Sequence, residues 1–415
     1  MKVSRVFLKA GEEKEIIQGF PWVYDNEISH LKGFDEEKQA YLNYPLESSC
    51  VSDGSLVEVF SKAGGFLGTG VINKKSKITV RFLTKEHDSV LVDSYSFFEE
   101  RIHSAYMLRL LDFSDKESFR LVYGEADFIP GFICEHFYAE GKRILLVQFL
   151  SLACQIYREE ILSALKKVCS PNAIFERSDS SSREKEGLPM VSQWVYGENS
   201  ELITICENDV KLCVDIKNGQ KTGYFLDQKF NRKRVREFCK GKSVLDTFTH
   251  TGAFGLNAFY GGAESVTCVD ISQEAIQTVQ KNIDLNKASS VVQAVQADVF
   301  DLLKEYEKEG KKFDVIILDP PAFTKSAKMI EKAYGGYKEI NLRAMRLLNP
   351  NGILVTCSCS SFMTPLMFCD MIMHAASDSH RRVQILEKRG AASDHPVLCG
   401  YPKSEYLKCV ICRVL

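Results

Sequence analysis

No apolar run in this 415-residue chain approaches the roughly 18 residues that a membrane-spanning helix needs. The opening stretch MKVSRVFLKAGEEKEI turns polar where a secretion signal requires its apolar core, so the cytoplasm is the expected compartment. Net charge is nearly absent: 53 Lys and Arg against 55 Asp and Glu leave −2, and no global basicity advertises nucleic acid. Any nucleic-acid partner would need a local basic face. No internal repeat is evident. The 14 cysteines lack the setting of a disulfide scaffold. The one C-x-x-C, Cys409 to Cys412, lies in an apolar stretch that reads as a terminal strand, where residues three apart face opposite ways. No second ligand pair completes a zinc site, so no metal is expected, and most of the thiols read as small buried apolar groups.

What is present is an ordinary globular composition, 45% apolar and 26% charged, on a chain long enough for two to three domains at about 150 residues each. The first 90 residues are β-rich. Ser55–Phe60 alternates, Gly64 and Gly65 turn the chain, and extended runs follow at Phe66–Ile72 and Ile78–Leu83. They predict a small barrel of short strands, with Lys32–Cys50 as a surface insertion. Residues 91–195 mix helix and strand, with helices over 91–112 and Gln155–Val168 and strands at Ile144–Phe149 and Ala173–Arg177. From residue 196 onward, strand signals at Ser243–Asp246, Ser265–Asp270, Val291–Gln296, Phe313–Leu318 and Gly352–Cys357 alternate with helical stretches. That is the βαβ pattern of a parallel sheet covered on both faces, and such sheets bind ligands at the carboxyl ends of their strands.

Four motifs lie at those ends. The first strand runs into Asp246, then Phe248, Thr251 and Gly252 before a helix. This is not the G-x-G-x-x-G turn of a dinucleotide site. A carboxylate and a compact turn of backbone N–H groups suit a ligand carrying both charges, such as an amino-acid moiety. The second strand ends at Asp270, where a carboxylate can accept from two ribose hydroxyls, and the third at Asp298, within reach of an adenine amino group. One such acid is as easily a helix N-cap; three on successive strands point to a nucleoside cofactor. The fourth strand closes with Asp319-Pro-Pro-Ala-Phe323, whose prolines hold the backbone extended beside a carboxyl and an aromatic face. The fifth ends Thr356-Cys-Ser-Cys-Ser360, with two cysteines opposite Asp319 as candidate nucleophiles. A loop upstream, Gly219-Gln-Lys-Thr-Gly-Tyr-Phe-Leu-Asp-Gln228, runs into Arg232, Lys233, Arg234 and Arg236, a basic tail suited to RNA phosphates or to plain solvation.

With these residues, the chain resembles bacterial ribosomal RNA cytosine-5 methyltransferases of the large-subunit type, members of the class I S-adenosylmethionine-dependent superfamily. The likeness extends over nearly the whole chain. It includes Gly19-Phe-Pro-Trp-Val-Tyr24, Gly65-Phe-Leu-Gly-Thr-Gly-Val-Ile-Asn73, Gly124-Glu-Ala-Asp-Phe-Ile-Pro-Gly131, Glu176-Arg-Ser-Asp179 and the Gly219 loop. The resemblance implies a PUA-like RNA-binding domain over 1–90, a small α+β domain over 91–195 and a Rossmann-like α/β methyltransferase domain over 196–415. It implies that Asp246, Phe248, Thr251 and Gly252 hold the methionine end of S-adenosylmethionine. Asp270 then holds the ribose, Asp298 the adenine, and Thr222 and Asp319 also line the cofactor site. Cys359 matches the family nucleophile, with Cys357 as the rival, and Asp319 faces the target cytosine. S-adenosylhomocysteine is the product and ribosomal RNA the partner; a homodimer is an open partner and a membrane is not expected.

The chemistry asks for these residue types. Cytosine C5 is a poor nucleophile until a thiolate adds to C6, and an acid near N3 then stabilises the added charge. The base must leave its stack to reach the thiol. In two-cysteine relatives a cysteine follows the prolines; here that position is Ala322, so the group that removes the C5 proton is unassigned, Cys357 or water being candidates. The rival reading is N-methylation of adenine or guanine, which D-P-P-F-like motifs also serve and which needs no thiol. An RNA-binding protein with a vestigial cofactor site and a nicotinamide dehydrogenase are further alternatives. Calorimetry with S-adenosylmethionine tests the former, and the missing G-x-G-x-x-G argues against the latter.

Overall fold

The computed structural model describes residues 3–198, 200–324 and 326–415, with Ser89 and Val90 as backbone alone. Two compact units are present: residues up to Glu201 together with Ser393–Ser404, and Leu202–Ala392 together with Glu405–Leu415. No helix among the described residues is long and apolar enough to cross a membrane.

In the first unit, β-branched residues at alternate positions build one sheet. Its strands are β1 (Ser4–Leu8), β2 (Trp22–Tyr24), β3 (Ile28–Asp35), β4 (Ala40–Tyr44), β5 (Leu56–Phe60), β6 (Phe66–Ile72) and β7 (Ile78–Thr84), ordered β2-β7-β6-β5-β1-β3-β4. Val6, Leu8, Leu31, Val57, Val59 and Val80 turn inward to a closed core. A short helix, α1 (Glu13–Ile17), joins β1 to β2. Lys32–Cys50 is not a surface insertion: β3 and β4 form an antiparallel hairpin with Leu31 opposite Tyr44, and Tyr44 and Leu46 pack on the core. The hairpin was obscured because its inward positions are carried by a few scattered residues around the polar turn Glu36–Gln39.

The rest of this unit begins with α2 (Ser94–Arg109), capped by Asp93 accepting from Ser96 N and burying Phe98, Ile102, Ala105 and Arg109 at helical spacing. The strands β8 (Phe119–Tyr123), β9 (Phe132–Ala139), β10 (Lys142–Phe149), β11 (Ala173–Ser178) and β12 (Val191–Tyr196) pair in the order β12-β11-β10-β9, with β8 on β9. A single helical turn, α3 (Leu152–Gln155), comes first, and the helix expected over Gln155–Val168 follows as α4 (Arg158–Cys169). Ser151 caps the first by accepting from Cys154 N. A single turn, α5 (Ser182–Lys185), precedes β12.

The second unit opens with a hairpin, β13 (Leu202–Glu207) and β14 (Val210–Asp215), and helix α6 (Lys229–Arg236). The main sheet follows: β15 (Ser243–Thr247), β16 (Ser265–Asp270), β17 (Val292–Gln296), β18 (Phe313–Leu318), β19 (Leu348–Ser358), β20 (Val383–Arg389) and β21 (Lys408–Val414). Helices α7 (Ala253–Tyr260), α8 (Gln273–Leu285), α9 (Val299–Lys308), α10 (Ile330–Leu347) and α11 (Pro365–Asp378) connect them. The order is β17-β16-β15-β18-β19-β21-β20, parallel from β17 to β19, with β21 antiparallel to β19 and to β20. Near-continuous apolar runs such as Val315–Leu318 are enclosed on both faces, as a parallel sheet between helices demands. From β15 the crossovers proceed one way to β16 and β17 and the other way to β18 and β19. The resulting crevice lies at the carboxyl ends of β15 and β18, where Asp246 and Asp319 stand.

Candidate active site

The turn after β15 is strained. Phe248 and His250 adopt left-handed φ of 57° and 53°, and Gly252 follows at 78°. Only the glycine does so freely, and a Cβ on it would meet Val279 at 3.1 Å. Such outliers persist where surrounding contacts over-determine them. Here Thr249 N donates to Val269 O, His250 N to Asp270 Oδ2 (3.0 Å), and Asn282 Nδ2 to Thr251 O (2.8 Å). The turn leads into α7 through Gly252 at its N-cap.

Asp246 lies beneath this turn, 1% exposed. Its Oδ2 accepts from the Thr249 hydroxyl and from Gly255 N at 2.9 Å, whereas Oδ1 has no partner. Burial, with the Asp270 carboxylate as a lesser contributor, lifts its carboxyl to about 7. A buried carboxylate oxygen left unsatisfied fits a cationic group such as the ammonium of an amino acid. Asp270 accepts at Oδ2 from His250 N and at Oδ1 from Ser272 N (3.0 Å), and each oxygen keeps a lone pair for a hydroxyl. Asp298 is exposed and caps α9, its Oδ1 accepting from Phe300 N at 2.8 Å. Thr222 is buried, with its hydroxyl on Tyr224 O. The donor set thus suits a nucleoside carrying an amino-acid tail, strongest at Asp246.

The two cysteines at the end of β19 have different fates. Cys357 is wholly enclosed opposite Cys409 on β21, and a hydrogen bond with Cys409 together with burial pushes its thiol far up. Cys359 lies beyond the strand, partly exposed. Burial raises its thiol, the nearby Lys221 ammonium opposes that, and the Asp319 carboxylate adds to it. Asp319, half-buried at the end of β18, is raised to about 7 by burial and by the carboxylates of Asp227 and Asp246. The structure therefore gathers Asp246, Asp319 and Cys359 about one crevice and leaves Cys357 in the core.

Several residues at this site were not singled out from the sequence. Gln228 Nε2 donates to Asp319 Oδ1 at 3.0 Å, Asn231 Nδ2 to Gln228 Oε1 at 2.7 Å, and Arg389 Nε to Asn231 Oδ1 at 2.9 Å. Because arginine can only donate, it orients both amides, and Gln228 must present its NH2 to the carboxyl. Lys408 is buried, its Nζ donating to the carbonyls of Ser360 and Tyr406, with its ammonium depressed to about 8 by burial. Asp227 and Gln228 lie inside the quoted Gly219–Gln228 stretch, so the signal was present but read only as a loop. Arg389 and Lys408 carry no local signal.

Arg232 corrects an expectation. It is no RNA-facing cation but is 3% exposed, donating from Nε and Nη2 to Glu207 at 2.6 and 2.8 Å and lying over the Tyr224 ring. Lys233, its neighbour, is exposed. The basic tail folds as a helix whose apolar stripe is too short to fill its inner face, and the buried Glu207 draws the arginine inward.

Residues 184–399 match the S-adenosylmethionine-dependent methyltransferase family, and residues 6–85 match the PUA-like domain family. The chain is 37% identical to ribosomal RNA large subunit methyltransferase I of Enterobacter sp. (strain 638), over 99% of each protein. It is 38% identical to the protein of that name from Shewanella frigidimarina, again over 99% of each. Among solved structures, SMU.776, described as a methyltransferase and crystallised with S-adenosylhomocysteine, superposes with a TM-score of 0.80 at 22% identity, covering 99% of this chain and 100% of that one.

Proposed function

The chain belongs to the S-adenosylmethionine-dependent methyltransferase family, with a PUA-like domain at its N-terminus, and on that premise we propose that it forms 5-methylcytosine in large-subunit ribosomal RNA. The observation that carries the reading is the placement of a partly exposed Cys359, just past β19, beside Asp319 at the end of the neighbouring strand β18. An N-methyltransferase has no use for that thiol. The compartment proposed with this substrate is the cytoplasm.

S-adenosylmethionine, when bound, supplies the electrophilic methyl group that C5 takes. Asp246 would hold its ammonium through Oδ1, Asp270 its ribose, and Asp298 its adenine, with the backbone from Phe248 to Gly252 and Thr222 bordering it. The flipped cytosine would lie between Cys359 and Asp319. Cys359 adds through Sγ to C6 as a thiolate, with Lys221 favouring the charged form. Asp319 delivers its proton at N3, so the electron pair pushed into the ring is neutralised as C5 becomes enamine-like. Gln228 fixes which oxygen is engaged, leaving Asp319 Oδ2 for the base.

The test is transfer of labelled methyl to large-subunit ribosomal RNA, followed by nucleoside analysis. The expected product is 5-methylcytidine, lost with Cys359→Ala while S-adenosylmethionine binding remains. A methylated purine made equally by Cys359→Ala would return the function to the N-methyl reading.

A further inference from the structure

A cytosine-C5 enzyme must also remove the C5 proton, and Ala322 leaves this chain without the second cysteine that follows the prolines in two-cysteine relatives. Cys357 is sealed against Cys409. Lys408 is an ammonium already bonded to two carbonyls. The His250 ring packs on Phe225 with centroids 4.9 Å apart, beside Asp270. Asp246 lies under the cofactor turn.

Asp227 differs from all of these. It is 6% exposed, in the short turn Leu226–Gln228. Its Oδ2 accepts from the Tyr406 hydroxyl, and its Oδ1 has no hydrogen-bond partner. The turn is pinned on both sides, because Ala392 N donates to Asp227 O at 2.7 Å and Gln228 binds Asp319. The Asp227 carboxylate is close enough to both Asp319 and Cys359 to raise their proton affinities, so it borders the same crevice. An enclosed anionic oxygen without a donor is unfavourable unless a ligand or a proton meets it.

We propose, resting on the cytosine-C5 reading above, that Asp227 is the base that removes the C5 proton, with Oδ1 as the accepting atom. At that stage C6 is bonded to Cys359 Sγ, and C5 carries both the new methyl group and its original hydrogen. Oδ1 takes that hydrogen as a proton. The C5–H electron pair becomes the C5=C6 bond, and the C6–Sγ pair leaves on sulfur as thiolate. The N3 proton returns to Asp319, and the proton on Asp227 passes to solvent. The Tyr406 hydroxyl holds the other oxygen so that Oδ1 keeps its aim.

The full-length protein, large-subunit ribosomal RNA and methyl-labelled S-adenosylmethionine test this after an SDS quench. Asp227→Asn should still bind S-adenosylmethionine, lose about 10²- to 10⁴-fold in turnover, and accumulate a labelled protein–RNA adduct that Cys359→Ala abolishes. Asp227→Glu should restore part of the turnover. Unchanged turnover, or loss of methyl transfer without an adduct, overturns the assignment. Should Asp227→Asn fail to bind S-adenosylmethionine, Tyr406→Phe is the variant to read. It keeps every carboxylate and must slow release of the adduct; release at the wild-type rate counts against Asp227. Wild type making no 5-methylcytidine would overturn the cytosine reading itself, whereas 5-methylcytidine from wild type with an unaffected Asp227→Asn overturns only this step.

Discussion

Cys357 and Cys409 face each other across the antiparallel pair β19 and β21, both fully enclosed. That pairing assigns the core to one of the two neighbouring cysteines and leaves Cys359, two residues on, at the rim of the crevice. A thiol buried against another thiol is inert, since forming its anion would place charge in an apolar layer.

Alkylation with iodoacetamide should accordingly label Cys359 and spare Cys357 in the native protein. Cys357→Ala should retain methyl transfer and lose about 1 kcal/mol of stability from the small cavity it leaves. Cys359→Ala should lose methyl transfer with its unfolding midpoint unchanged. Denaturant titrations and a methyl-transfer assay on the two variants separate the roles.

Asp270→Ala should weaken S-adenosylhomocysteine binding by about 1–3 kcal/mol, through ribose hydroxyls left unpaired. The same carboxylate also receives His250 N and Ser272 N, so Asp270→Asn, which keeps one acceptor, should lose less. Titration calorimetry on both is the measurement, and an unchanged affinity removes Asp270 from the ribose.

Asp319 holds its proton up to about pH 7. An acid needed in its protonated form makes kcat/KM fall as pH rises through that value. Asp319→Asn should lower the rate and flatten that limb. A limb near neutrality that survives the substitution belongs to another group.

Asp246 shows the linked effect on stability. Its folded carboxyl titrates near 7 rather than at the ordinary aspartate value of 3.8, so the folded state binds the proton more tightly than the unfolded one. Stability is then highest below about pH 4 as far as this group is concerned, and is lost progressively as pH rises to about 7. Asp246→Asn should raise the melting temperature at pH 8 more than at pH 5 while weakening S-adenosylmethionine binding. Equal shifts at the two pH values would contradict the buried-charge account.

Arg232→Met should be destabilising by about 3–5 kcal/mol, because it strands the Glu207 carboxylate inside the protein. Lys233→Ala, on the exposed side of the same helix, should stay within about 0.5 kcal/mol of wild type. RNA affinity of folded Arg232→Met, measured from low to high salt, should keep the wild-type slope, since a buried guanidinium releases no phosphate counterions.

The fold was legible where the residue pattern is repetitive. The five parallel strands and their acidic ends, Asp246, Asp270, Asp298 and Asp319, follow from apolar runs bounded by turns, which depend on near neighbours only. The β3–β4 hairpin was missed because its inward residues are sparse.

The sequence by itself determined the fold class, the cofactor type and the short list of candidate side chains at the strand ends, because each is written in short contiguous motifs. Which thiol is free, which basic residue is buried, and which carboxylates keep protons were decided only by the tertiary structure. Those properties depend on partners far along the chain: Cys409 for Cys357, Glu207 for Arg232, and the carboxylates of Asp227 and Asp246 for Asp319. Burial and electrostatic coupling act through space, and nothing in a local run of residues encodes them.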